Sequence, residues 1–127
     1  LSRAAVDFMH QSLINEHGGA IGVRAGGDAL IDSALQRPPN RFAYDPTSDL
    51  PTLAAAYLFG LAMNNGFVDG NKRVTFAAAT TFLSLNGMRL MATEVDAYDA
   101  VMSVAAGRTS EEELAAWFRE NSASIRR

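Results

Sequence analysis

A run of nine residues, Asn65-Gly66-Phe67-Val68-Asp69-Gly70-Asn71-Lys72-Arg73, concentrates side chains that handle charged ligands. Asn71, Lys72 and Arg73 bring donors to a point where a helix should begin, and glycine at 66 and 70 permits close backbone approach. A helix start offers unpaired N–H groups and the positive end of the helix dipole. Together these make an anion site, with phosphate as the usual guest. Lys72 and Arg73 would add positive charge, and an arginine can grip a phosphate through two parallel hydrogen bonds. Asp69 supplies a carboxylate that could hold Mg²⁺ on the same phosphates. A plainer reading also fits the run: Asp69 or Asn71 caps the helix, Phe67 anchors the core, and the two cations are solvated.

Two apolar helices must position this run. Pro51 suits the first turn of one of them, and Leu53, Ala54, Tyr57, Leu58, Leu61 and Ala62 make it apolar most of the way round to about Asn64. Such a helix belongs at the centre of a bundle. The second central helix spans about Asn71 to Leu85 and is closed by Asn86-Gly87. Before them, spacing predicts a helix from about Arg3 to His17, with Val6, Met9, Leu13 and Ile14 inward and Gly18-Gly19 as its stop. A short helix is expected over Asp28 to Gln36, ended by Pro38-Pro39. A connection over Arg41 to Asp49, partly extended, would follow. After the central pair, Thr93 caps a helix whose inner face is Tyr98, Val101, Met102 and Ala105. Ser110 and Glu113 form a capping box for the last helix, with Leu114, Trp117 and Phe118 inward. No strand pattern is strong enough for a sheet. The fold class is therefore all-α: a compact helical bundle whose two central helices are joined by the motif loop.

The chain has 127 residues, which points to one domain over 1–127. A net charge of −3 opposes nonspecific nucleic-acid binding, which needs a basic surface to displace counterions. The absence of cysteine removes disulfides, thiolate zinc sites and cysteine nucleophiles. No apolar run approaches the roughly 18–20 residues a membrane span needs, and the first residues do not resemble a signal peptide. A cytoplasmic protein with no membrane or direct nucleic-acid partner is expected. His10 lies among apolar helix positions and reads as a satisfied core or surface histidine, and His17 as a helix-end residue; spacing ties neither to the run at 65–73.

That run resembles the Fic/Doc motif, His-x-Phe-x-Asp-Gly/Ala-Asn-Lys/Gly-Arg, at every defined position except the first, where Asn65 stands. The likeness extends to His17-Gly18-Gly19, Gly22-Val23-Arg24, Asp32-Ser33-Ala34-Leu35, Arg41-Phe42-Ala43-Tyr44 and the Phe82 to Gly87 stretch. It covers most of the chain and is weakest in the last two helices. The resemblance implies that Phe67 anchors the loop in the core and Asp69 coordinates Mg²⁺. By the same resemblance Gly70, Asn71 and the helix start cradle the phosphates of ATP, and Arg73 neutralises their charge. Adenylylating Fic enzymes usually carry glycine where this chain has Lys72, and a second arginine where it has Phe76. Both departures resemble the Doc (death-on-curing) branch of toxin–antitoxin systems, which implies phosphoryl transfer from ATP to elongation factor Tu, and a cognate antitoxin as partner. The alternatives are a Fic-type protein adenylyltransferase and a non-catalytic module that binds nucleotide or antitoxin.

In the motif so resembled, the first histidine is the general base that takes the proton of the target hydroxyl. The Asn65 amide forms hydrogen bonds but does not titrate near neutrality. General-base catalysis is typically worth ~10²–10⁴-fold, so this form is expected to turn over poorly while its phosphate cradle stays intact. Among catalytic candidates this leaves Lys72 and Arg73 beside the altered position 65. The otherwise complete motif favours an engineered replacement at 65 over natural drift.

Overall fold

The computed structural model describes residues 1–125. It contains six helices: α1 (Arg3–His17), α2 (Gly27–Tyr44), α3 (Leu50–Asn64), α4 (Asn71–Leu85), α5 (Glu94–Ala105) and α6 (Glu111–Asn121). Two three-residue strands, β1 (Met88–Leu90) and β2 (Ser122–Ser124), pair antiparallel with Arg89 opposite Ala123.

The expected starts are present where a side chain can satisfy the orphan N–H groups of a first turn. Ser2 accepts from Ala5, Asp49 from Thr52, and Thr93 from Asp96. Ser110 and Glu113 form the reciprocal capping box at the start of α6.

α3 is the centre of the bundle. Its alanine-rich sequence lets neighbours approach on every side, and ten of its residues, Leu58 and Tyr57 among them, are buried. One side of α3 joins Ala79 and Leu83 of α4, Val101 and Val104 of α5, and Leu114 and Phe118 of α6 in an apolar cluster. Its other side packs Tyr57 and Leu61 against Val6 of α1, Ile31 and Leu35 of α2, Phe67, and Val74 and Ala78 of α4. α4 is only half enclosed: Val74, Thr75, Ala78, Ala79 and Leu83 face inward, and the opposite strip lines a cleft.

Three sequence expectations are corrected. α2 does not stop before Pro38-Pro39 but continues through both to Tyr44, so Arg41–Tyr44 is helical and the connection shrinks to 45–49. Each internal proline sacrifices a hydrogen bond and costs a helix ~3 kcal/mol. Tertiary packing outweighs this here: Pro38 is buried, and Arg37 just before it lies over the Phe59 ring. Continuation past the prolines brings Arg41 to Glu111 of α6, which Arg37 also reaches. In α5 the inward face is Ala97, Val101 and Val104, while Tyr98 is exposed, a rotation that opens Tyr98 to the cleft. The small β1–β2 ribbon also exists. Neither strand has a run long enough to register as a pattern, and each depends on a partner distant in sequence.

Asp49 ties the start of α3 to α6: it caps α3 and accepts a hydrogen bond of 2.9 Å from Arg119 Nε. The Arg119 guanidinium, helped by Thr52, holds its carboxyl down to about 2, against an ordinary 3.8. A depressed acid stabilises the fold above the unfolded-state value and loses that contribution as pH falls through the folded-state value. Asp49→Asn keeps a good cap and removes only the charge. Since the pair is half exposed, the expected loss at pH 7 is about 0–1 kcal/mol. Urea titrations should show the gap between parent and variant closing as pH falls from about 4 to 2.

Candidate functional site

The end of α3, the turn 65–70 and the start of α4 form one rim of an open cleft of about 880 Å³, within the usual size for a small-molecule site. Asn65, Asp69, Gly70, Asn71, Lys72 and Arg73 all line it. Phe67 does not: it is buried beneath the turn within the α1–α2–α4 core. The sequence-based candidates are thus gathered into a single place, with Phe67 as their anchor.

The turn's shape follows from its own residues. Asn65 ends α3 in the left-handed conformation (φ 46°), the one non-glycine residue so placed among those described. Asparagine tolerates that region better than most residues, as does histidine. Asn71 closes the turn from the other side. Its Oδ1 accepts from the Phe67 N–H at 3.0 Å and its Nδ2 donates to the Phe67 carbonyl at 2.9 Å. Its side chain is therefore committed to the backbone, and only its N–H remains for a ligand. Gly70, at φ 75°, precedes α4 and offers no side-chain cap. The plainer reading, in which Asp69 or Asn71 caps α4, is corrected by this geometry.

The consequence is a helix start with open donors. Among the described residues, the N–H groups of Gly70, Asn71, Lys72 and Arg73 have no hydrogen-bond partner; the first bond is from Val74 to the Gly70 carbonyl at 3.0 Å. The Lys72 and Arg73 side chains are exposed and make no ion pair among the described residues. Asp69 is the nearest carboxylate in sequence. Its Oδ2 accepts from the Ala20 N–H at 2.8 Å, which fixes the group and leaves Oδ1 without a partner among the described residues. No group of three or more His, Cys, Asp or Glu capable of holding a metal occurs among the described residues. A cation here would draw on one carboxylate plus ligand oxygens and water. That is the ordinary manner of Mg²⁺ beside phosphates, so the residues fit the ion.

Sequence reasoning missed how the turn is held. The segment between α1 and α2 crosses it as a strap: Val23 pairs antiparallel with Phe67, through Arg24 N–H to the Gly66 carbonyl (3.1 Å) and Val68 N–H to the Gly22 carbonyl (3.1 Å). The Arg24 side chain donates to the carbonyls of Asn64 and Asn65, satisfying acceptors at the end of α3 where its dipole is negative. Gly27 and Gly66 meet backbone to backbone; a Cβ on Gly27 would collide with the Gly66 carbonyl, and one on Gly66 with Ile31. His10 lies under the turn, buried, with Nε2 at 2.6 Å from the Asp69 carbonyl and its ring stacked on Phe67. Its core character was legible, since Val6, His10 and Ile14 recur at a spacing of four on the buried face of α1. Its contact with the turn was not. His17 ends α1, as expected, and also lines the cleft, while Phe76, Ala77, Thr80, Glu94, Tyr98 and Val101 extend it with a largely apolar wall.

Comparison with known proteins agrees with the motif. Residues 1–83 match the sequence profile of the Fic/DOC family. The chain is 43% identical over 93 residues to "Toxin Doc" of Mycolicibacterium smegmatis, covering 72% of this chain and 70% of that protein. It is 33% identical over 82 residues to "Protein kinase doc" of Escherichia phage P1, covering 65% of this chain and 64% of that one.

The Gly27–Gly66 contact is directly testable. Gly27→Ala places a methyl group against backbone that cannot give way, and over-packing of this kind typically costs about 1–3 kcal/mol. Urea denaturation should show that loss, and ligand-free NMR spectra should place the largest shift changes at residues 65–71.

Proposed function

The chain belongs to the Fic/DOC family, and from that premise we propose that it is a Doc-type toxin of a toxin–antitoxin system. It would transfer the terminal phosphoryl group of ATP to a hydroxyl of a translation factor, elongation factor Tu, and so arrest translation. A cognate antitoxin would restrain it. The observation that carries this reading is the uncapped start of α4, where, among the described residues, four free N–H groups and two unpaired cations line one cleft.

Each residue then has a task that its placement supports. The N–H groups of Gly70 to Arg73 donate to phosphate oxygens, and the Arg73 and Lys72 side chains offset the charge that builds up during transfer. Asp69, oriented by Ala20, would hold Mg²⁺, which would supply positive charge to offset that of the phosphates. As the hydroxyl oxygen attacks the terminal phosphorus and the bond to the departing diphosphate breaks, the hydroxyl proton must go to a base. Position 65 stands on the same cleft, but the Asn65 amide cannot take that proton. Losing the base costs roughly 3–5 kcal/mol of barrier, so the chain with Asn65 binds nucleotide and turns over slowly.

Two features favour the kinase reading over adenylyl transfer. Lys72 stands where glycine is usual in adenylylating relatives, and Phe76, not a second arginine, lines the cleft one turn further along α4. The phage relative is itself named a protein kinase. One observation favours a second reading, a non-catalytic module that keeps nucleotide or antitoxin affinity: Asn65 sits where a base would be needed.

Asn65→His should fold without penalty, because histidine also tolerates the left-handed region. With purified elongation factor Tu, it should raise phosphoryl transfer by ~10²–10⁴-fold over the parent, with label moving from the γ position of ATP. Transfer of α label contradicts the kinase reading, and no transfer of either label supports the binding module. Arg73→Ala in the parent should weaken Mg-ATP binding by about tenfold, the worth of one charge-assisted contact, as read by calorimetry.

A further inference from the structure

Only two polar side chains, His10 and Thr75, are buried among the described residues. A buried imidazole is costly unless its hydrogen-bonding needs are met, and His10 meets them on the motif turn. It is 3% exposed, and its Nε2 lies 2.6 Å from the Asp69 carbonyl oxygen. A carbonyl only accepts, so Nε2 carries the proton and donates. The ring stacks on Phe67 with centroids 3.9 Å apart and planes 18° apart. It also runs close beneath Gly70, where an added Cβ would sit 3.5 Å from Nε2 and 3.2 Å from the Ile14 Cδ1. One side chain of α1 thus touches Phe67 and Asp69 and leaves Gly70 little more than the room a glycine needs.

We propose that His10 is a positioning residue: by holding the Asp69 carbonyl toward α1, it turns the Gly70 N–H outward into the cleft as a phosphate donor. The Asp69 carbonyl and the Gly70 N–H belong to one planar trans peptide, in which they point in opposite directions. Pulling the oxygen down toward α1 therefore sends the N–H up, to the side on which Gly70 lines the cleft. That N–H has no partner among the described residues. It extends the row of donors from Asn71, Lys72 and Arg73 by one, in the concave arrangement that binds anions well. The same bond sets the frame from which the Asp69 carboxylate projects. Without the donor, the Asp69–Gly70 peptide is free to rotate and the phosphate cradle loses its outermost contact. No proton is transferred by His10 and no contact with substrate is needed.

This rests on the phosphate-cradle reading of the cleft, and two variants separate its parts. His10→Phe keeps a ring to stack on Phe67 but removes the donor; His10→Gln keeps an N–H donor near the same place but removes the ring. In the ligand-free proteins, amide hydrogen exchange should quicken by about tenfold or more at the hydrogen-bonded amides of the turn, Phe67, Val68 and Val74, in His10→Phe, with α3 and α6 unchanged, and by much less in His10→Gln. Mg-ATP affinity, measured by calorimetry on the Asn65 chain, should fall by about tenfold in His10→Phe and stay within about threefold of the parent in His10→Gln. Unchanged exchange at the turn in His10→Phe overturns the proposal, as does faster exchange spread evenly over all helices. Equal losses in both variants overturn it too, because ring packing rather than the donor would then be responsible. A parent chain that fails to bind Mg-ATP, alongside the expected exchange pattern, sinks the nucleotide reading and leaves the positioning role of His10 standing.

Discussion

The first turn of α4 is available to a ligand because Asn71 spends both ends of its amide on the backbone of Phe67. Four other helices here begin with a side chain folded back onto the first-turn N–H groups. At α4 the residue before the helix is glycine, and the asparagine that follows faces the wrong way to cap. The helix dipole and several donors are thereby left pointing at open space. Unsatisfied backbone donors are a cost that folded chains ordinarily avoid, and here they share a cleft with Lys72 and Arg73. An anion resolves all of these needs at once, which is why the proposed role centres on a phosphate-bearing ligand.

Such a turn must be held firmly, and it is held from three directions. α3 and α4 fix its two ends, and both are packed into the core. The strap between α1 and α2 crosses its outer side with backbone hydrogen bonds, an arginine on the α3 carbonyls, and a glycine-to-glycine contact. α1 supports it from below through His10 and Ile14. Catalytic geometry depends on support of this kind, since small displacements of donors cost heavily in rate. The chemistry-bearing residues are nearly contiguous in sequence, while the residues that hold them come from positions 10 to 27. The family profile, which spans residues 1–83, takes in both groups.

Much of this is legible in the amino-acid sequence alone. The two inner helices announce themselves through alanine and leucine with almost no polar face, and the last two helices through Thr93 and Ser110 at their starts. The 65–73 run was legible because its residue types make little sense as a mere connector. What escaped is physically of one kind. α2 passes through Pro38-Pro39 because contacts with α3 and α6 outweigh local propensity, and the β1–β2 ribbon exists because two distant segments meet. The tasks of His10, Ala20 and Arg24 at the turn likewise depend on tertiary placement, which no local period encodes. The commitment of the Asn71 amide to Phe67 was hidden for a different reason. The same residue type at the same position serves equally well as a cap, and only geometry separates the two.

On the proposed reading, the turn and the first residues of α4 form the cradle of the nucleotide's phosphates. A ¹H–¹⁵N NMR titration of the Asn65 chain with Mg-ATP tests it most directly, because the backbone amides are themselves the proposed ligands. Gly70, Asn71, Lys72 and Arg73 should shift first and furthest, with smaller changes at Phe76, Thr80 and Tyr98 along the cleft. Shifts centred instead on the arginine-lined hollow around Arg41 and Arg119, with the amides of 70–73 unmoved, would contradict it.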